Sequence, residues 1–367
     1  MNRRVVITGL GCLSGAGTEP KELRRALLEG KSLARHERID LNQDEWFETS
    51  VSRLPEFDRN AYLPAERRRR MSVFSQNWVV ACLQARADAG LSSTPVPERA
   101  GVILGTAFGS LHRTLKYLDI VRRDGKGLGN PFLFSESVAN APAGHAGIDL
   151  DCRGLNVSLT CGDMSGLAAV QCAARAIRDE RLDFAYAGGV EELPSALLAI
   201  LARLGAVPVS AGNLLHRLPQ RNCTSASVVP GEGAACFILE EWEHARRRGA
   251  VPYAEVLAGS LGSDPRAGDM CWSRSVSVRA KSMLKALRTS SVATHAVDGV
   301  ILHGCADLEA NRAEHDAVEG ALLQERSSLE PRARMSPARV LGQVAGEAAW
   351  GVAAGAVSML YQVRYEA

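Results

Sequence analysis

The sequence predicts an α/β fold, because short apolar runs alternate along it with helical segments that are rich in small residues. Four of these runs have the length and apolar content of strands: residues 4–8, 101–105, 155–160 and 184–187. Near-continuous apolar strands are typical of sheets that helices cover on both faces. The chain has 367 residues, of which 46% are hydrophobic, so it is long enough to bury a large core.

The remaining predicted elements continue this pattern. Residues 166–178 predict a buried helix, because alanine and leucine occupy most of its faces. Residues 297–303 predict a strand, and residues 348–362 predict a helix of small residues near the end of the chain. We divide the chain into an N-terminal half, residues 1–250, and a C-terminal half, residues 251–367.

Composition argues against several classes of partner. The net charge of +2 gives no reason to expect a nucleic acid or another polyanion. No apolar run approaches the ~20 residues that span a membrane. The nine cysteines are odd in number, include no Cys-x-x-Cys pair and follow no secretory signal, so we expect a reducing cytoplasm and no metal site.

Seven short motifs follow one another in order along the chain. They are RVVITGLG at 4–11, RRMSVF at 69–74, GTAFG at 105–109, NAPAGH at 140–145, AGGVE at 187–191, PGEGAA at 230–235 and LEEWEHA at 239–245. Each is weak alone, but their shared order resembles the β-ketoacyl-acyl carrier protein synthases, which are condensing enzymes of the thiolase-like type. The resemblance implies a five-layer αβαβα arrangement of two related halves. It also implies a glycine turn after the first strand, a helix start near residue 140 and a hairpin over residues 239–250.

The resemblance further implies that the C-terminal strands are shortened. The family normally continues through further strands and a glycine-rich loop that lines the active site, and this segment has no counterpart before Ala367. An open sheet edge favours unwanted association. We therefore expect a partner subunit to cover it.

The run GLNVSLTCGDMSG at residues 154–166 predicts a strand, a turn of small residues and the start of a helix. The free N–H groups at a helix N-terminus stabilise a thiolate or an oxyanion, so such a turn suits a nucleophile. The turn resembles the family's Thr-Ala-Cys-x-Ser-Gly segment. Anchoring on Gly154, Ser165 and Gly166 puts the family's catalytic cysteine at Asp163, and a carboxylate there cannot form a thioester.

The family's first catalytic histidine lies in a His-Gly-Thr-x-Thr segment, which the run at residues 303–307 resembles. His303 is retained in that run. The two threonine positions are occupied by Cys305 and Asp307.

The family's lysine and second histidine fall in a segment for which two registers are open. One register puts them at Ala338 and Gln343, and the other puts them at Val344 and Ala349. Neither supplies a lysine or a histidine, and glutamine donates a neutral hydrogen bond without acting as an acid or base. Loss at three positions predicts that the condensation chemistry is absent.

Asp163 has two further interpretations. The first is a cap for the following helix, because carboxylates are favourable at helix N-termini. The second is an ion pair with His303 across the site. Cys161 lies roughly 6–7 Å back along the strand, so we expect it to be a buried apolar residue rather than a substitute nucleophile.

The other histidines are weaker candidates for a catalytic role. His145 is expected to be structural, because it lies at a helix start. His112, His244 and His315 are expected at the surface.

Some family pairs include a subunit that has lost its cysteine, and this chain is similar to such a chain-length factor, or ketosynthase β-subunit. The resemblance implies a heterodimer with a cysteine-bearing ketosynthase and a role in type II polyketide, polyene or fatty acid biosynthesis. It implies no cofactor other than the phosphopantetheine carried by a partner acyl carrier protein. The basic run at residues 67–70 is expected to be a solvated helix end, with a contact to that acidic carrier as the functional alternative.

The resemblance places a tunnel-shaping segment over residues 108–134, at the dimer interface. Its apolar members follow helical spacing or the glycine-rich turn at residues 125–129: Phe108, Leu111, Leu115, Leu118, Phe132, Leu133 and Phe134. Core packing is the alternative for each of them taken singly. Two other functions stay open for the chain, namely a malonyl decarboxylase or atypical acyltransferase, and a homodimeric acyl-binding scaffold.

Overall fold

The computed structural model describes residues 3–93, 96–125, 130–213, 229–265, 273–304, 308–322, 333–341, 343–344 and 353. The strands within these ranges are β1 Val5–Leu13, β2 Arg35–Asp40, β3 Trp46–Val51, β4 Ala100–Gly105, β5 Asn156–Leu159, β6 Phe184–Glu191, β7 Ala211–Gly212, β8 Pro230–Gly231, β9 Gly233–Glu241, β10 Ala254–Glu255, β11 Gly299–Ile301, β12 Ala333–Met335 and β13 Gln343–Val344. The helices are α1 Pro20–Glu29, α2 Ala65–Arg68, α3 Val73–Asp88, α4 Leu111–Asp124, α5 Pro131–Ser135, α6 Ala141–Asp149, α7 Ser165–Arg178, α8 Ser195–Arg203, α9 Trp242–Arg247, α10 Val276–Ser290, α11 Leu308–Leu322 and α12 Ala338–Leu341.

Six strands form the central sheet, in the order β10-β1-β9-β6-β4-β5. Strand β4 is parallel to β5 and β6, whereas β9 is antiparallel to β1 and β6. Gly105, the last residue of β4, pairs with Leu159 of β5 and with Gly189 of β6. Since the carboxyl ends of parallel strands meet at one edge of a sheet, the turns that follow β4 and β5 lie side by side.

Helices cover both faces of this sheet, so β1, β4 and β6 are buried as the sequence predicted, whereas the edge strand β5 is partly exposed. Helix α7 packs on one face, where Ile103 and Phe237 contact its alanine-rich side. Helices α3 and α6 pack on the other face, where Trp78 lies beside Val102 and Tyr186. Alternate residues of one strand thus enter opposite cores, as the two-residue period of a strand requires.

The glycines near the start of the chain do not form the expected turn, because β1 continues through them to Leu13. A β-carbon at Gly9 would lie 2.3 Å from the Ala85 carbonyl oxygen, and one at Gly11 would lie 1.9 Å from that of Ala81. These glycines therefore allow α3 to approach β1 closely.

The prediction of a hairpin over residues 239–250 is also wrong. Strand β9 ends at Glu241, whose side chain accepts a hydrogen bond from the His244 amide at 2.9 Å and so caps α9. The helix start near residue 140 is confirmed as α6, and the helix predicted at 166–178 is confirmed as α7. The strand predicted at 297–303 is shorter, and the helix predicted at 348–362 lies outside the described residues apart from position 353.

The described part of the second half is packed more loosely. Strands β11 and β12 form a parallel pair, and α10 has no buried residue. A small apolar cluster joins Leu302 to Val318 and Leu322 of α11. Among the residues that the structure describes, no helix is long and apolar enough to cross a membrane.

Candidate active-site remnant

The predicted nucleophile turn lies at the carboxyl edge of the sheet, between β5 and α7. Its shape depends on Ser165, which is fully buried. The Ser165 hydroxyl accepts a hydrogen bond from the Cys161 amide at 2.8 Å and donates one to the Gly162 carbonyl at 2.5 Å. Gly162 has a φ of 60°, a left-handed conformation that glycine adopts without strain.

The turn also packs against the end of β4. A β-carbon at Gly105 would lie 2.2 Å from the carbonyl carbon and oxygen of Ser165 and 2.5 Å from the nitrogen of Gly166. The backbone of α7 thus begins directly on the backbone of β4. Since no larger residue fits there, the position of the turn is set by main-chain packing rather than by the side chain at residue 163.

Asp163 faces His303 across the site. The Asp163 Oδ2 atom lies 3.9 Å from the His303 Nε2 atom, and the two side chains are 18% and 10% exposed. The sequence motifs assigned these two residues separately to the positions of the catalytic cysteine and the first histidine. The structure brings both positions together, as the ion-pair interpretation of Asp163 requires.

The surroundings of the pair disfavour charge on either member. Burial raises the pKa of Asp163 to about 7. Burial also lowers the pKa of His303, with Arg279 acting in the same direction and Glu314 opposing it. Near neutral pH the Asp163 carboxyl is therefore present in both its neutral and its ionised form.

Glu314 of α11 holds the His303 turn in place. Its carboxylate accepts hydrogen bonds from the His303 amide at 2.9 Å and from the Gly304 amide at 3.1 Å. The Ser336 hydroxyl donates to the His303 carbonyl at 3.3 Å. Glu314 was not predicted from the sequence, and no helix was predicted over the residues of α11.

Two predictions about the turn are wrong. Asp163 does not cap α7, because the helix begins at Ser165 after Met164 and has no side-chain cap. Cys161 is exposed rather than buried, because β5 is an edge strand of the described sheet and the chain after it runs along the surface.

The region of the second histidine is only partly described. Ala338 is buried in α12. Gln343 and Val344 are described as strand β13, which pairs in parallel with β8. Ala349 lies outside the described residues, as do Cys305 and Asp307.

The predicted tunnel segment divides into exposed and buried residues. Phe132 is 75% exposed, whereas the adjacent Leu133 is only 8% exposed. Leu111 is partly buried against the cluster that contains α8. The remaining predicted members are exposed, so core packing does not account for them: Phe108, Leu115, Leu118 and Phe134. Of the preceding glycine-rich turn, positions 126–129 lie outside the described residues.

The four histidines that the sequence analysis set aside differ in burial and partners. His145 lies 2.5 Å from the buried Glu136 carboxylate, which confirms its structural role. His244 was expected at the surface but is half-buried, because its Nδ1 atom lies 2.7 Å from the buried Glu240 carboxylate. His112 is exposed as expected, whereas His315 is only half-exposed.

The basic run at residues 67–70 lies at the end of α2, as predicted. Arg67 pairs with Asp149 and Arg68 donates to Asn60, which leaves Arg69 and Arg70 as the exposed pair. In the part of the chain that the structure describes, no group of three or more metal-ligating side chains is gathered to hold an ion.

Comparisons with known proteins agree with this architecture. A family model described as "Beta-ketoacyl synthase, N-terminal domain" matches residues 2–245. The 3-oxoacyl-(acyl-carrier-protein) synthase 2 of Coxiella burnetii is 31% identical over 327 residues, which are 86% of this chain and 77% of that protein. The chain belongs to the beta-ketoacyl synthase family.

Two solved structures share its fold. One is described as the ishigamide ketosynthase/chain length factor and has a TM-score of 0.79 at 24% identity, covering 98% of this chain and 85% of that chain. The other is described as a type II polyketide synthase acyl-carrier protein in complex with its ketosynthase bound to the hexaketide. It has a TM-score of 0.80 at 21% identity, covering 99% of this chain and 86% of that chain. At these identities the likeness shows the fold, and it confirms the predicted thiolase-like class.

Proposed function

We propose that this chain is a non-catalytic chain-length factor, which pairs with a cysteine-bearing ketosynthase and shapes the tunnel for the growing acyl chain. The pathway would be type II polyketide, polyene or fatty acid biosynthesis, with the chain carried on the phosphopantetheine of an acyl carrier protein. One observation carries the proposal: the buried side chain that faces His303 from the nucleophile turn is Asp163. A carboxylate does not hold an acyl chain as a thioester, so the condensation step lacks its nucleophile.

Cys161, which lies two residues before Asp163, is not expected to replace the missing nucleophile. Cys161 is exposed, whereas Asp163 and His303 are buried together. The Cys161 amide is bound to the Ser165 hydroxyl, which holds this part of the turn in its present position.

The surface beside the turn supports a partner. Strand β5 pairs with β4 and lies at the edge of the described sheet. The exposed apolar members of the tunnel segment include Phe132, Phe134 and Leu118. Apolar side chains gathered on a surface are characteristic of interaction sites. Under the proposal, the partner ketosynthase covers them, and the N-terminal half contributes the tunnel while the C-terminal half, after residue 250, contributes His303.

Co-expression with each candidate ketosynthase from the same genome tests the pairing. Size-exclusion chromatography with mass identification should yield a one-to-one complex with a cysteine-bearing ketosynthase. A well-behaved homodimer that binds none of them would contradict the proposal and favour the acyl-binding scaffold.

The tunnel assignment gives a separate prediction. Alanine at Phe108, Phe132 or Phe134, in complex with the true partner, should lengthen the product, because a bulky side chain that fills a closed pocket limits the space for extension. Product masses measure the change. Val251→Ala is the matched control, since Val251 is as exposed as Phe132 at 75% but lies outside the segment. Unchanged product length in all three variants would rule out this role.

One observation favours a second candidate, a malonyl decarboxylase. An ionised carboxylate would repel the substrate carboxylate, but burial raises the pKa of Asp163 to about 7, so part of it is neutral at neutral pH. The isolated chain should then release carbon dioxide from malonyl-acyl carrier protein, and the rate should fall above pH 7 as Asp163 ionises. Absence of release from the wild-type chain, or equal release from His303→Ala, would exclude this candidate.

A further inference from the structure

Glu191 is the last residue of β6, and its side chain is fully buried where β4 also ends. Its carboxylate accepts a hydrogen bond from the Thr106 hydroxyl at 2.9 Å and another from the Ala107 amide at 2.7 Å. The Phe108 amide lies 3.4 Å from both carboxylate oxygens. The Thr106 hydroxyl oxygen in turn accepts a hydrogen bond from the Gly109 amide at 3.1 Å. One buried carboxylate thus holds the backbone between β4 and α4.

The loop between β4 and α4, which Glu191 holds, reaches the surface at Phe108. Thr106 and Gly109 are buried, whereas Phe108 between them is exposed. Gly109 has a φ of 65°, which turns the chain back toward α4. The inward hydrogen bonds therefore fix the backbone from which the Phe108 ring projects outward.

The carboxylate and the loop depend on each other. Among the described residues no cation lies within ion-pair distance of Glu191, and its hydrogen-bond donors are the hydroxyl and amides of the loop. Burial raises the pKa of Glu191 to about 8, and the neighbouring Glu192 adds to this shift. The loop amides in turn need an acceptor at this depth, because a buried N–H without a partner is costly.

We propose that Glu191 is a positioning residue that sets the place of the Phe108 ring at the mouth of the acyl tunnel. It acts on product length through the loop backbone and does not contact the acyl chain. The inference rests on the proposed function for its effect on product length. The hydrogen bonds from which the inference is drawn lie within this chain and do not depend on the proposed function.

Two variants weaken the contact by different amounts. Glu191→Gln keeps one acceptor oxygen and replaces the other with an amide group that cannot accept a hydrogen bond. Thr106→Val removes only the hydroxyl and leaves the carboxylate in place. Glu240→Gln is the control for loss of a buried acidic group elsewhere, because Glu240 is also fully buried and bound by the Thr8 hydroxyl, but it pairs with His244 and Arg248 and does not contact the loop.

Hydrogen exchange on the isolated chain tests the positioning directly. Glu191→Gln should speed exchange of the Ala107 and Phe108 amides by about fivefold, in line with the loss of one buried hydrogen bond. Thr106→Val should produce a smaller increase, and Glu240→Gln should produce none at these amides. Unchanged exchange in both Glu191→Gln and Thr106→Val would overturn the inference.

Product analysis in the complex with a ketosynthase then separates this inference from the proposed function. Glu191→Gln should lengthen the product by at least one extension unit, as Phe108→Ala does, and should add nothing in the Phe108→Ala background. A longer product from Phe108→Ala but not from Glu191→Gln overturns the positioning role and leaves the chain-length factor intact. An unchanged product from Phe108→Ala overturns the positioning role, because the place of the ring then does not affect product length. The tunnel role of the chain is contradicted only if Phe132→Ala and Phe134→Ala also leave the product unchanged.

Discussion

The two turns that meet at the site are held in place by different means. The turn that carries Asp163 lies directly on the backbone of β4. The turn that carries His303 is held by the carboxylate of Glu314 and a small apolar cluster. Main-chain packing therefore preserves the first turn whichever side chain follows Gly162, whereas the second turn depends on one buried acidic group.

The largest effect on stability is expected at Gly105, where the backbone of β4 contacts the backbone at the start of α7. Gly105→Ala should reduce the free energy of unfolding by about 3 kcal/mol or more, because the new methyl group meets main-chain atoms of Ser165 that cannot move aside. Gly144→Ala is the control, since a β-carbon at Gly144 meets no atom within 4 Å and alanine favours its helix. Chemical denaturation measures both. A loss in Gly105→Ala no larger than that in Gly144→Ala would contradict main-chain support of the turn.

A smaller effect is expected at Asp163, and it depends on pH. Burial raises its pKa from 3.8 to about 7, so the native state holds a proton that the unfolded state releases between these values. Stability due to Asp163 therefore falls as pH rises through this window. His303 acts in the opposite direction, because burial lowers its pKa and favours its neutral form as pH rises.

The substitution Asp163→Asn removes the contribution to stability that falls as pH rises. The variant should exceed the wild type in free energy of unfolding by about 2 kcal/mol at pH 5.5 and by little at pH 4. Denaturation curves at the two pH values measure the difference. A constant difference across this range would mean that the carboxyl titrates normally and that the site is more hydrated than its burial indicates.

The smallest effect is expected at the second turn. Glu314→Gln retains one acceptor for the amides of His303 and Gly304, so it should cost about 1 kcal/mol. Asp316→Asn, at an exposed position of the same helix, should stay within about 0.5 kcal/mol of the wild type. Equal stabilities of the two variants would show that the apolar cluster, rather than Glu314, holds this turn.

The sequence was sufficient to predict strands β1, β4, β5 and β6 of the central sheet and helix α7, because their apolar runs lie between turn residues. It did not distinguish a glycine needed for a turn from one needed for close packing. Gly9 and Gly11 belong to the second kind, and their partners in α3 are about 70 residues away along the chain. A periodicity argument uses near neighbours and cannot identify such contacts.

The sequence predicted which two residues face each other in the site, but it did not predict the buried residues that hold the surrounding backbone in place. The motifs brought Asp163 and His303 to the same place, and the 3.9 Å separation agrees with them. The anchoring roles of Glu191 and Glu314 were not predicted, because each acts on amides of a distant segment. Local sequence carries no information on which backbone groups need a buried acceptor.

The contact between Gly105 and Ser165 has a consequence for identifying relatives of this chain by their motifs. The small residues around the turn are required by steric fit between β4 and α7, and that requirement is the same whether or not a nucleophile is present. A search pattern weighted toward these glycines and serines will retrieve active and inactive members alike. Within this turn, the presence or absence of a nucleophile is decided by the single residue between Gly162 and Met164.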